Sequence, residues 1–125
     1  MSSRKTKGMT VEEFFAGREE SRRLFEAIQR RVAHLGDVTM KVSKSQIAFR
    51  RKRNFAIVWV PGKYLDSRTA PLVLTLSFPH PDGSKRWKQI FQISPKRFTH
   101  HLEIFKETDI DAEVYGWLKL AWDAA

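Results

Sequence analysis

The sequence predicts an α+β fold: an N-terminal helix, about five mainly antiparallel strands and a C-terminal helix, laid out as a two-layer sandwich with both helices on one face of the sheet. Three observations point there. The apolar period is helical near both ends of the chain, it changes to two after Gly36, and turn residues break up the middle too often for long helices. Its 125 residues suit a single core, with a basic disordered tail over 1–8 and one domain over 9–125.

The first helix announces itself in Thr10-Val11-Glu12-Glu13, a capping box in which the Thr10 hydroxyl accepts from the Glu13 amide and the Glu13 carboxylate bonds back. Met9 can staple onto Phe14. Gly17 predicts an interruption, after which Leu24, Phe25, Ile28, Val32 and Leu35 carry a helical stripe from near Glu19 to Leu35, stopped by Gly36. Arg22, Arg23, Arg30 and Arg31 mix with Glu19, Glu20 and Glu26 on the other face, which reads as solvated.

Val38, Met40 and Val42 alternate with polar residues as a first strand, Ile47 and Phe49 mark a second, Phe55, Ile57 and Trp59 a third, and Leu72, Leu74, Leu76 and Phe78 a fourth. Lys52-Arg53-Asn54 and Pro61-Gly62 supply breaks, and residues 79–84 a loop. Trp87 to Ile93 reads as a short edge strand or an ordered loop. Phe98 to Phe105 is the last strand, and Thr108 and Asp109 are expected to cap a final helix whose stripe is Ile110, Val114, Trp117, Leu118, Ala121 and Trp122.

Composition narrows function. No cysteine is present, which removes disulfides, thiolate nucleophiles and zinc–cysteine sites. No apolar run approaches the roughly 20 residues that span a bilayer, and no apolar segment follows the basic N-terminus as in a secretory signal. A cytoplasmic protein without a membrane partner is expected. The net charge of +9 is unevenly spread: residues 1–37 carry eight Lys/Arg against six Asp/Glu, residues 38–102 thirteen against two, and residues 103–125 two against six. The whole excess sits in the strand segment, where it predicts an anionic partner.

Three stretches carry a resemblance: KSQIAFRRKRNF over 44–55, TVEEFF over 10–15, and FTHH over 98–101 ahead of a last helix containing Trp117. The chain resembles, over nearly its whole length, a bacterial family catalogued as domain of unknown function 5655. That family has no settled activity, and its occurrence both alone and fused to other domains implies a binding or accessory role rather than a self-contained enzyme. The element order also resembles the frataxin-like sandwich, whose iron binding depends on an acidic surface; here the sheet segment is basic, and no cofactor or metal is expected.

The sharpest constellation is Arg50-Arg51-Lys52-Arg53 at a hairpin, with Lys41 and Lys44 leading in and Phe49 and Phe55 on either side. Clustered cations repel one another, and a phosphate backbone relieves that repulsion while releasing counterions. The plainer reading is a solvated turn. A second basic set, Lys85, Arg86, Lys88, Lys96 and Arg97, surrounds Trp87 and Phe98; Trp87 either stacks on a base or closes the edge of the core.

If Val38, Ile47, Ile57, Leu74 and Leu102 face the helices, the open sheet face carries Lys41, Gln46, Ala48, Arg50, Ala56, Val58, Thr75, His101 and Glu103, a shallow dish with small residues at its centre. His101 and Glu103 then share a face two residues apart, where a carboxylate could orient an imidazole and raise its pKa. Chance gives such pairs often, and no third metal ligand is suitably spaced. His100 should pack in the core and His80 lie exposed. No phosphate-cradling glycine loop, nucleophile elbow or zinc-protease motif is present. The leading expectation is therefore a non-enzymatic domain binding nucleic acid or another polyanion. The alternatives are a protein-interaction or homodimerisation module using Val58, Val60 and Val73, and a small-molecule domain in which the Trp87 loop closes over His101.

Overall fold

The computed structural model describes residues 9–61 and 69–125. The expected tail over 1–8 and Gly62 of the expected turn lie outside the described residues. Element order is α1 (Val11–Phe14), α2 (Glu19–Val32), β1 (Thr39–Val42), β2 (Ile47–Arg50), β3 (Asn54–Trp59), β4 (Leu72–Phe78), β5 (Gln89–Ser94), β6 (Arg97–Ile104), a 3-10 turn (Glu107–Asp109) and α3 (Ala112–Ala124). The strands form one antiparallel sheet in the order β1-β2-β3-β4-β6-β5. It has six strands rather than five, because the segment after Trp87 pairs along β6 as an edge.

The starts of α1 and α3 follow side-chain caps, whereas α2 starts after Arg18 without one. Thr10 Oγ1 accepts from the Glu13 amide at 3.1 Å and Glu13 Oε1 accepts from the Thr10 amide at 2.9 Å, so two otherwise orphaned donors are satisfied. At the far end Asp111, not Thr108 or Asp109, caps α3 by accepting from the Val114 amide; Thr108 and Asp109 are spent in the 3-10 turn before it. Gly17 and Gly36 both take positive φ, as the breaks after α1 and α2 require.

Both helices pack on one face of the sheet. Leu24, Phe25, Ile28 and Val32 of α2 and Val114, Trp117, Leu118 and Ala121 of α3 share one core with Ile47, Phe49, Val58, Leu74, Leu76 and Leu102. The third strand inverts the expected phase. A register shift opposite Phe49 and Arg50 leaves Phe55 and Ala56 both buried in that core, so Val58 follows them inward while Ile57 and Trp59 turn to the open face.

Candidate functional site

Pairing across the sheet fixes what the open face presents. Lys41 lies opposite Ala48, Ala48 opposite Ile57, Ile57 opposite Thr75, Thr75 opposite His101 and His101 opposite Gln89, giving one continuous row from edge to edge. Ala56 and Val58, expected here, are fully buried on the helix side instead. The centre of this row is Ala48, Ile57 and Thr75.

On the β1–β3 side, Thr39, Lys41, Ser43, Gln46, Ala48, Arg50 and Asn54 line a groove of about 450 Å³. Lys41, Gln46 and Arg50 thus converge as the alternation predicts, and neither cation pairs with a carboxylate among the described residues. Lys44 stands at the β1–β2 turn, beside a neighbouring hollow that also reaches Trp59.

The four hairpin cations divide. Arg51 turns back to the helix layer, where its guanidinium lies 3.9 Å from the centroid of the Trp122 ring and its Nη1 donates to the Trp122 carbonyl at 3.1 Å. A cation over an aromatic face at a helix C-terminus is favoured twice, by the ring and by the negative end of the helix. Arg50, Lys52 and Arg53 remain exposed.

Further along the open face, Trp59, Pro61, Thr69, Val73, Lys88, Gln89, His101 and Glu103 line a second hollow of about 230 Å³. His101 and Glu103 do share the open face, yet they are not a dyad. The imidazole Nδ1 lies 2.6 Å from Thr75 Oγ1, which also accepts from Trp59 Nε1 at 3.0 Å, while Glu103 pairs with Lys88 at 3.6 Å. Burial lowers the His101 pKa below its ordinary value, opposite to the expected rise, because no carboxylate reaches the ring to offset it. Trp59 and Phe91 stand edge-on to the His101 ring at 5.9 and 5.5 Å, and Phe91 is 47% exposed.

Trp87 takes no part in this face. It is buried against Trp117 at 4.2 Å and His100 at 4.9 Å, with its Nε1 donating to Asp82 at 2.9 Å, so the reading as a core-edge residue describes it and neither base stacking nor a lid does. Arg86 beside it is equally committed: it bonds Asp111 and Glu113 at the start of α3, and the Glu113 carboxylate, followed by Asp111, holds its pKa above the ordinary value. His100 is the packing histidine expected. Its Nδ1–H donates to the Phe98 carbonyl and its Nε2 accepts from the Asp82 amide, which fixes a neutral tautomer.

Sequence reasoning missed Trp59 and Phe91 as open-face aromatics. Phe91 was findable, since it follows Gln89 at strand period; Trp59 was hidden by the register shift in β3, which no residue pattern marks.

Among known families, the one described as Domain of unknown function (DUF5655) matches residues 11–125. No curated protein and no solved structure matches the chain.

Proposed function

The chain belongs to the family described as Domain of unknown function (DUF5655), and on that footing we propose that its open sheet face binds a single-stranded nucleic acid or a similar polyanion. One observation carries the reading: Lys41 and Arg50, without carboxylate partners among the described residues, share a face with the aromatic edge of Trp59 and the exposed ring of Phe91. Cations along a groove hold phosphates, and rings beside them accept bases by stacking, a combination tolerant of sequence. Lys44, Lys52 and Arg53 extend the positive surface around the hairpin. The partner would be met in the cytoplasm of a bacterial cell.

A salt titration on a short thymidylate oligomer tests this. If about five phosphates are neutralised, log K should fall against log salt with a slope of roughly −3 to −4 on a single strand. Joint Lys41→Glu and Arg50→Glu substitution should abolish binding while leaving the unfolding temperature unchanged; no binding to DNA or RNA oligomers at low salt sinks the proposal.

A different observation favours self-association. Val58 and Val73 are buried and Val60 is half-buried, but Ile90, Phe91 and Ile93 are exposed along β5, an edge strand of the kind to which another strand adds. Light scattering decides it, a strict monomer at high concentration removing the dimer.

A further inference from the structure

At the end of the sheet, beyond the last turn of α3, a cleft of about 180 Å³ gathers Arg53, Lys96 and Arg97 over a floor that includes Phe55, Phe78 and Ala121. Asn54 and Ser77 line it as well; no Asp or Glu does, and Ala124 and Ala125 bring the end of α3, with the Ala125 α-carboxylate, to the same cleft. Arg97 is half-buried, and its Nε is shut away from solvent with no hydrogen-bond partner among the described residues. An N–H of a charged guanidinium shut away from water and unpaired costs about 1–3 kcal/mol or more, a cost that an acceptor entering the cleft would remove.

Capping of α3 does not explain the cluster. The negative end of a helix is worth about half an elementary charge, and Arg51 already occupies the Trp122 carbonyl. Three further cations outweigh that half charge and the Ala125 α-carboxylate together, and none of them forms an ion pair with a described carboxylate. What they match is a compact ligand of high negative charge. Two guanidinium forks suit the tetrahedral face of a phosphate, the lysine adds a point charge, and the apolar floor lowers the local dielectric and strengthens each contact.

We propose that this cleft is a phosphate site, taking the dianionic group of a phosphomonoester between Arg53, Lys96 and Arg97. The group could arrive as a free small phosphate or as the terminal phosphate of a nucleic-acid strand, since Asn54 also lines the open-face groove and joins the two cavities. The site itself does not depend on the open-face reading.

The experiment is a titration of the full chain with inorganic phosphate at constant ionic strength, followed by calorimetry and by the ¹⁵N-edited Nε–H signal of Arg97. A saturable shift of that signal is expected, with Arg97→Gln weakening binding about tenfold, the loss of one charged hydrogen bond. Lys96→Gln, on an exposed turn, should weaken it severalfold and serves if the arginine variant fails to fold. Joint Lys41→Glu and Arg50→Glu substitution should leave phosphate affinity as it was, separating this site from the open face. Tighter binding of a 5′-phosphorylated oligomer than of its 5′-hydroxyl twin assigns the phosphate to a strand; equal binding of the two, with free phosphate still saturating, assigns it to a small molecule. A shift that does not saturate, or an affinity unchanged in both Arg97→Gln and Lys96→Gln, overturns the proposal.

Discussion

Thr75 and His101 face each other across the β4–β6 ladder with Oγ1 and Nδ1 only 2.6 Å apart. The same hydroxyl accepts from Trp59 Nε1 and has both its proton and a second lone pair left for the imidazole, so either neutral tautomer can be bonded by Thr75. The histidine on the open face is therefore a positioned hydrogen-bonding group, not a charge.

His101 should titrate below its reference value of about 6.5, since burial disfavours the imidazolium. Glu103→Gln is expected to leave that midpoint where it was, because Glu103 is engaged by Lys88. An NMR titration of wild type and variant checks both. A midpoint above the reference value, falling in Glu103→Gln, would restore the dyad. Thr75→Val strands Trp59 Nε1 and His101 Nδ1 together and should cost about 1–3 kcal/mol in denaturant unfolding.

His100 gives the fold its own pH dependence. It is fully buried, burial lowers its pKa, and its two ring nitrogens are bonded in the neutral form. Below about pH 6.5 the unfolded chain takes up a proton that the folded chain refuses, so stability is full above that pH and declines as pH falls toward the depressed native value. His101 acts in the same sense. The unfolding temperature should drop between about pH 6.5 and 5, before carboxylates titrate; a flat profile there contradicts neutral burial. His100→Phe should flatten much of that slope while costing about 1–3 kcal/mol for the orphaned Asp82 amide.

Gly36 is held twice over. Its φ is +139°, and a Cβ placed on it would come within 2.6 Å of Trp122 Cζ2, on a ring fixed by its bond to the Asp37 carbonyl and by Arg51 above it. Gly17, at φ +75°, has open space around the same position. Gly36→Ala should therefore cost more than Gly17→Ala, which carries only the backbone strain of about 1 kcal/mol. Chemical unfolding of the pair measures the difference, and equal costs would mean that the indole moves aside freely.

Arg50 and Arg51 are neighbours in sequence with opposite duties. Arg51→Gln should lower stability by about 1 kcal/mol, the size of an exposed cation–ring contact, and leave oligomer binding nearly unchanged. Arg50→Gln should do the reverse. Thermal unfolding and binding run side by side decide whether that ranking holds.

The fold was legible because its signals are local: the Thr10–Glu13 box, the period of α2 and the alternation of β1, β4 and β6 depend on neighbours along the chain. The site was legible in part. Lys41, Gln46 and Arg50 share a groove because alternation is reliable within one strand, and His101 and Glu103 share a face for the same reason. What failed was long-range. No pattern tells that β3 slips so that Phe55 and Ala56 both turn inward, that Glu103 is taken by Lys88, or that Trp87 finds Trp117 in place of solvent. Each of those is settled by a partner far away in sequence.

The clamp between Arg51, Trp122 and Asp37 also bears on the order of assembly. Its two hydrogen bonds join residues 71 and 85 positions apart, whereas β1 through β4 pair with successive neighbours. Close pairings form early because short loops are cheap to close. During synthesis the meander and α2 can meet first, but half of the covering layer is still missing until α3 has been made. A chain cut after Thr108 should expose the sheet residues that Val114, Trp117 and Leu118 cover, and limited proteolysis should digest it where the full domain resists. Resistance equal to the full chain would show that the last helix is a late addition to an already finished core.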